Sequence, residues 1–185
     1  VLEIFDLRDM HSNNADFVAN LTESLTFIGQ DELAIMLLED ALVKFRNDPR
    51  LHRLTAQKLT ELGEHLRAAE HYQWLITNSK VEEDPIGHGQ LLMEAAENSR
   101  KRGLTEERSA RTEAAFTIFA DLLAKQPKNE TLWQPYLDSA AAVDRIPPDR
   151  RAQVLLLLDN WRKYSDDLNF VERLTDVLIK NGHAR

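Results

Sequence analysis

Apolar residues recur along this chain at the three-and-four spacing of amphipathic helices. Phe17, Val18, Leu21, Leu25 and Ile28 predict a first helix over Asn14–Ile28. After a break at Gly29-Gln30, the residues Leu33, Ala34, Leu37, Leu38, Ala41, Leu42 and Phe45 form a wider stripe, as a helix covered on more than one side requires. The small Ala34 and Ala41 on that stripe permit close approach of a neighbour. Leu51, Leu54, Leu59 and Leu62 predict a third helix, stopped at Gly63, and Leu66 to Ile76 a fourth that returns antiparallel. Leu91, Leu92, Ala95 and Ala96 lead to another stop at Gly103. Leu132, Trp133, Tyr136, Leu137 and Ala140 mark a helix over Asn129–Val143, with Pro135 expected to kink its early turns. Pro147-Pro148 opens a partner helix through Val154, Leu157, Leu158, Trp161 and Tyr164, and Leu168–Ile179 ends at Asn181-Gly182.

Punctuation agrees with the stripes. Asp48-Pro49 and Asp84-Pro85 each place a capping carboxylate before a proline at the first helical position, where the missing N–H costs nothing. The pattern also repeats: Gly29 and Gly63 lie 34 residues apart, as do Leu25 and Leu59, and Ala34 and Ala68. A fixed period of that length marks stacked helical pairs. From Gly103 to Ala115 is twelve positions, against five from Gly29 to Ala34, so seven residues around Thr105–Thr112 are inserted. They predict about two extra turns on the second helix of the third pair, beginning at Thr105 with Glu106 and Glu107 at the positive end of its dipole.

These residues resemble tetratricopeptide repeats. Leu21, Leu25, Gly29, Ala34, Leu38 and Ala41 match one repeat, Leu59, Gly63, Ala68 and Tyr72 another, and Trp133, Tyr136 and Leu137 the opening of a fourth. Thr22, the insertion after Gly103 and Asp144 at the fourth turn depart from that pattern. The resemblance implies an all-α, right-handed solenoid of antiparallel helix pairs running as a single array over 1–185, with repeats at about 14–48, 49–80, 85–127 and 129–165 and a half repeat at 166–185. The stop at Gly182 predicts that a further helix follows in a longer parent protein. The apolar face of Phe170, Leu174, Val177 and Leu178 is then expected to lack its cover and to self-associate, with Val1, Leu2, Ile4 and Phe5 as a second such surface.

Composition narrows the function. The formal charge of −8 and the scatter of basic residues exclude a general nucleic-acid binder. The longest apolar runs, such as Val154–Leu158, are five residues, far short of the ~20 needed to span a bilayer. The absence of Cys excludes disulfides, thiol catalysis and Cys-based metal sites. It is compatible with either bacterial periplasm or cytoplasm, the former being favoured.

Candidate chemistry is sparse. His11, His52, His65, His71, His88 and His183 show no metal-binding spacing; Glu61 and His65, four apart, are read as a solvated pair on one helix face. Gly87-His88-Gly89 lacks the strand, Lys and Ser or Thr of a phosphate loop and is read as a loosened helix start. The sequons at Asn20 and Asn129 are read as a mid-helix residue and a cap. Glu82-Glu83, Glu106-Glu107 and Asp166-Asp167 sit at helix boundaries, where acid complements the dipole without catalysis. Trp133 is read as core, and Trp74, beside polar Gln73, as less completely so. No catalytic residue, cofactor or metal is assigned.

The resemblance implies that the first helix of each pair lines a concave surface. It places there Asp16, Asn20 and Glu23; Arg50, Arg53 and Gln57; Glu97, Arg100 and Lys101; Asp138; and Glu172, Arg173 and Asp176. At the positions where relatives clamp a chaperone's C-terminal carboxylate stand Ala19, Glu23, Leu54, Gln90 and Glu94, so that partner is not expected. A polar face of mixed sign suits an extended peptide held by many hydrogen bonds. The expected function is therefore a non-enzymatic protein-interaction scaffold. The alternative is a periplasmic part of an exopolysaccharide synthesis or export machine that contacts the polymer.

Overall fold

The computed structural model describes residues 14–78, 80, 84–148, 154 and 167–180, the side chain of Lys180 excepted. These fall into two compact units divided between Asn78 and Ser79. Every regular element among the described residues is helical.

The first unit contains α1 (Ala15–Phe27), α2 (Asp31–Lys44), α3 (Pro49–Glu61) and α4 (His65–Asn78). Asn14 Oδ1 accepts from the backbone N–H groups of Asp16 and Phe17 at 3.0 and 3.1 Å, which satisfies two donors that the first turn of α1 cannot. Asp48 does the same for Arg50 and Leu51 at the start of α3, with Pro49 in the first turn as the sequence predicts. Gly29 and Gly63 stop α1 and α3 at φ 73° and 81°. Beyond each, the chain bonds back over the turn, Gln30 N–H to the Leu25 carbonyl and Glu64 N–H to that of Leu59, both at 2.8 Å. Such a turn needs a residue without Cβ strain at its left-handed position. Val18, Ala19, Leu25, Ala34, Leu37, Leu38, Ala41 and Leu51 form a contiguous core.

The second unit contains α5 (Pro85–Lys101), α6 (Thr105–Lys125), a 3-10 turn (Glu130–Leu132), α7 (Trp133–Ala142) and α8 (Leu168–Lys180). At 21 residues, α6 exceeds the 14-residue α2 and α4 by the predicted seven. Its added turns are fastened by Arg111, whose Nη1 donates to the Ala95 carbonyl at 3.0 Å and to Ser99 Oγ at 2.7 Å, while Nη2 meets Glu107 at 2.5 Å.

Four expectations are corrected. Gly87-His88-Gly89 is no loosened start: Asp84 caps the helix through Gly87 N–H at 2.9 Å, and Gly89 is buried so tightly that an added Cβ would lie 2.6 Å from Phe119 Cζ. Glu61 and His65 do not share a helix, because α3 ends at one and α4 begins at the other, with the Gly63 turn between them. Pro135 does not kink a continuous helix; the chain makes a 3-10 turn first, and Pro135 falls in the first turn of α7, where a missing N–H costs little. Phe170, Leu174 and Val177 are buried, not uncovered: α8 packs on α7, with the Phe170 and Trp133 ring centroids 6.4 Å apart. Leu168 and Ile179 remain exposed on α8. Val1, Leu2, Ile4, Phe5, His11, Glu82, Glu83, Trp161, Tyr164, Asp166 and His183 lie outside the described residues.

Candidate functional site

Each residue proposed from sequence sits on the first helix of a pair, or on α8. In the first unit, Asp16, Asn20 and Glu23 project from one side of α1 at i, i+4 and i+7, and all three are exposed. Arg50 crosses from α3 to meet the first two, with Nη1 2.8 Å from Asp16 Oδ1 and Nη2 3.4 Å from Asn20 Oδ1. The Arg50–Asp16 contact spans 34 residues, one full period, and joins the first turn of α3 to the first turn of α1. With α2 returning between them and packed on both, the two helices run in the same direction. Arg53 and Gln57 continue the row along α3 as half-buried residues.

In the second unit, Arg100 grips Glu97 through two hydrogen bonds of 2.7 Å on the last turns of α5. Those bonds hold the Glu97 carboxyl below its ordinary pKa. Lys101 is exposed beside them. Asp138 on α7 accepts from Gln134 Nε2 at 2.9 Å and forms an ion pair with Arg173 on α8, Nε to Oδ1 at 3.2 Å. Asp176 is exposed one turn beyond Arg173. The structure thus brings together Asn20 with Arg50, Glu97 with Arg100, and Asp138 with Arg173. The charges of Asp16 and Arg50, of Glu97 and Arg100, and of Asp138 and Arg173 neutralise one another in pairs.

Ala19 is buried, so its position cannot present a polar group on this surface. Asn129 caps the 3-10 turn through Thr131 N–H at 3.2 Å, and Asp167 caps α8 through Phe170 N–H at 3.1 Å.

One cluster was not found by sequence reasoning. Buried His52 on α3 and His71 on α4 face each other with Nδ1 atoms 3.0 Å apart. His52 Nε2 lies 2.9 Å from the Arg46 carbonyl, and its ring stacks on Trp74 at 3.8 Å between centroids. A carbonyl only accepts, so Nε2 carries the hydrogen, and Nδ1 is left to accept from His71. The available signal was the hairpin itself, which folds α4 back along α3 about Gly63. Among the described residues, no three His, Asp or Glu are gathered as a metal ion would need, and no helix is long and apolar enough to cross a membrane.

No protein-family model matches the chain, and no curated protein matches it. Among solved structures, the fold is similar to that of MamA, at a TM-score of 0.53 and 12% sequence identity over 96% of this chain and 84% of that one. That likeness shows the fold alone: helices packed in neighbouring pairs, as in tetratricopeptide-like repeat proteins.

Proposed function

We propose that this chain is a non-enzymatic scaffold that holds an extended polypeptide segment against the polar faces of its first helices. The observation that carries the reading is the position of Arg50, which reaches from α3 to Asp16 and Asn20 on α1 and makes a polar row across two helices. Exposed ion pairs of this kind contribute only about 0–1 kcal/mol. The fold therefore depends little on them, and a bound chain can exchange its own backbone and side-chain groups for theirs at small cost. The likeness to MamA supports the reading at the level of fold, since paired-helix scaffolds act by binding.

The test begins with a displayed random-peptide library selected on the full chain. The best peptide is then titrated against wild type, Arg50→Ala, Arg53→Ala and Arg173→Ala, with an acidic and an amino-sugar polymer in parallel. Loss of peptide affinity by about tenfold, with the unfolding midpoint unchanged, is expected for at least the first two variants. Saturable polymer binding without peptide binding would instead favour the exopolysaccharide alternative.

A further inference from the structure

The opposite end of the same helices carries a different surface. Between α1 and α3 the chain returns along α2, which packs on both and is joined to each by a short turn, so the two 13-residue helices run the same way and their C-termini lie toward one edge of the first unit. On that edge Phe27 is 90% exposed, Ile28 61%, Leu62 42% and Leu66 72%. The turns do not require these residues. The equivalent turn at Gly103 closes with the same backbone bonds, yet Lys101 and Arg102 stand before its glycine.

The charges around this edge are one-sided. Glu23, Asp31, Glu32, Glu61 and Glu64 oppose Lys58 and Arg67. Both cations are already engaged, Lys58 with Glu61 at 2.5 Å, and Arg67 with Glu64 and Glu39. Glu23, Asp31 and Glu32 have no ion-pair partner among the described residues.

We propose that this apolar edge with its acidic rim docks an amphipathic helix of a partner protein, whose apolar stripe is flanked by Lys or Arg. Neighbouring packed helices lie about 8–10 Å apart. A helix advances about 10 Å over seven residues, so side chains at i and i+7 of the partner reach the Phe27–Ile28 and Leu62–Leu66 positions together. The basic flanks then face Glu23, Asp31 and Glu32. Exposed apolar clusters rimmed by charge are where such helices bind.

The test uses the full chain and a synthetic peptide of about 18 residues, with Leu at i, i+3, i+4 and i+7 and Lys elsewhere. One comparator has Glu in place of Lys, and another has the same composition with the stripe scrambled. Fluorescence anisotropy should show saturable binding of the basic striped peptide alone. The double variant Phe27→Glu with Leu66→Glu should weaken it about tenfold or more. Circular dichroism checks folding of the double variant; should it not fold, Ile28→Ser with Leu66→Ser is used in its place. Equal binding of the Glu peptide, or equal affinity in the folded variant, overturns the proposal. So does sedimentation showing that wild type self-associates and the variant does not, because a second copy would then be the occupant.

Discussion

His52 and His71 share one hydrogen across the 3.0 Å between their Nδ1 atoms. With His52 donating from Nε2 to the Arg46 carbonyl, its Nδ1 is left to accept from His71. Burial, followed by the neighbouring His52, holds the His71 pKa below its ordinary value; Arg67 acts in the same direction, while Glu39 and Glu70 oppose.

A depressed histidine pKa means that the unfolded chain takes up this proton more readily than the folded one. Stability from this site should therefore be complete above pH ~6.5 and decline as the pH falls below it. Urea midpoints at several pH values between about 7.5 and 5 measure the decline. His71→Gln should flatten it, and identical slopes in the two proteins would remove His71 as the cause.

Gly89→Ala tests the closest crossing in the second unit. Helix propensity favours alanine by about 1 kcal/mol, whereas overpacking a full core costs about 1–3 kcal/mol. Phe119 is buried and its ring cannot swing clear of a Cβ at 2.6 Å, so the steric cost should win and the unfolding midpoint should drop. Phe119→Leu in the same chain should recover part of the loss.

Arg111 should matter more than any exposed arginine. Its guanidinium is largely buried, which lowers its pKa, and it joins the added turns of α6 to Ala95 and Ser99 on α5. Arg111→Ala should cost about 2–3 kcal/mol, because charged hydrogen bonds are lost and Glu107 is left without its cation. Hydrogen exchange should locate the damage at 105–112. Arg111→Lys should restore only part, since an ammonium cannot reproduce the fork.

By contrast, the Arg50–Asp16 pair is exposed on both sides. A double-mutant cycle with Arg50→Ala and Asp16→Ala should return a coupling below about 1 kcal/mol, screened further by salt. A larger value would mean that this face is built for stability and not for exchange.

The helix boundaries were legible because they obey local rules. Asp48-Pro49, Gly29 and Gly63 act through backbone conformation within a few residues, and the seven extra residues of α6 could be counted from spacing alone. What failed depended on neighbours. Gly89 looks the same in sequence whether it loosens a helix or admits the Phe119 ring. The period locates the apolar side of α8 but not its cover, which is α7 with Trp133. The His52–His71 bond joins two helices through residues that share neither charge pattern nor period. Glu61 and His65 are a different case: the stop at Gly63 between them already forbade one helix face.

The Arg50–Asp16 contact joins residues 34 apart, and the substantial helix contacts within each unit run between elements close together in sequence. Such a structure has no central keystone. Pulled from its ends in a force experiment, each unit should give way one helical pair at a time, in a sawtooth of small extensions instead of a single rupture. Damage at one pair should leave the farther ones standing, so the protein can yield under load and recover by re-forming neighbours that never lost one another.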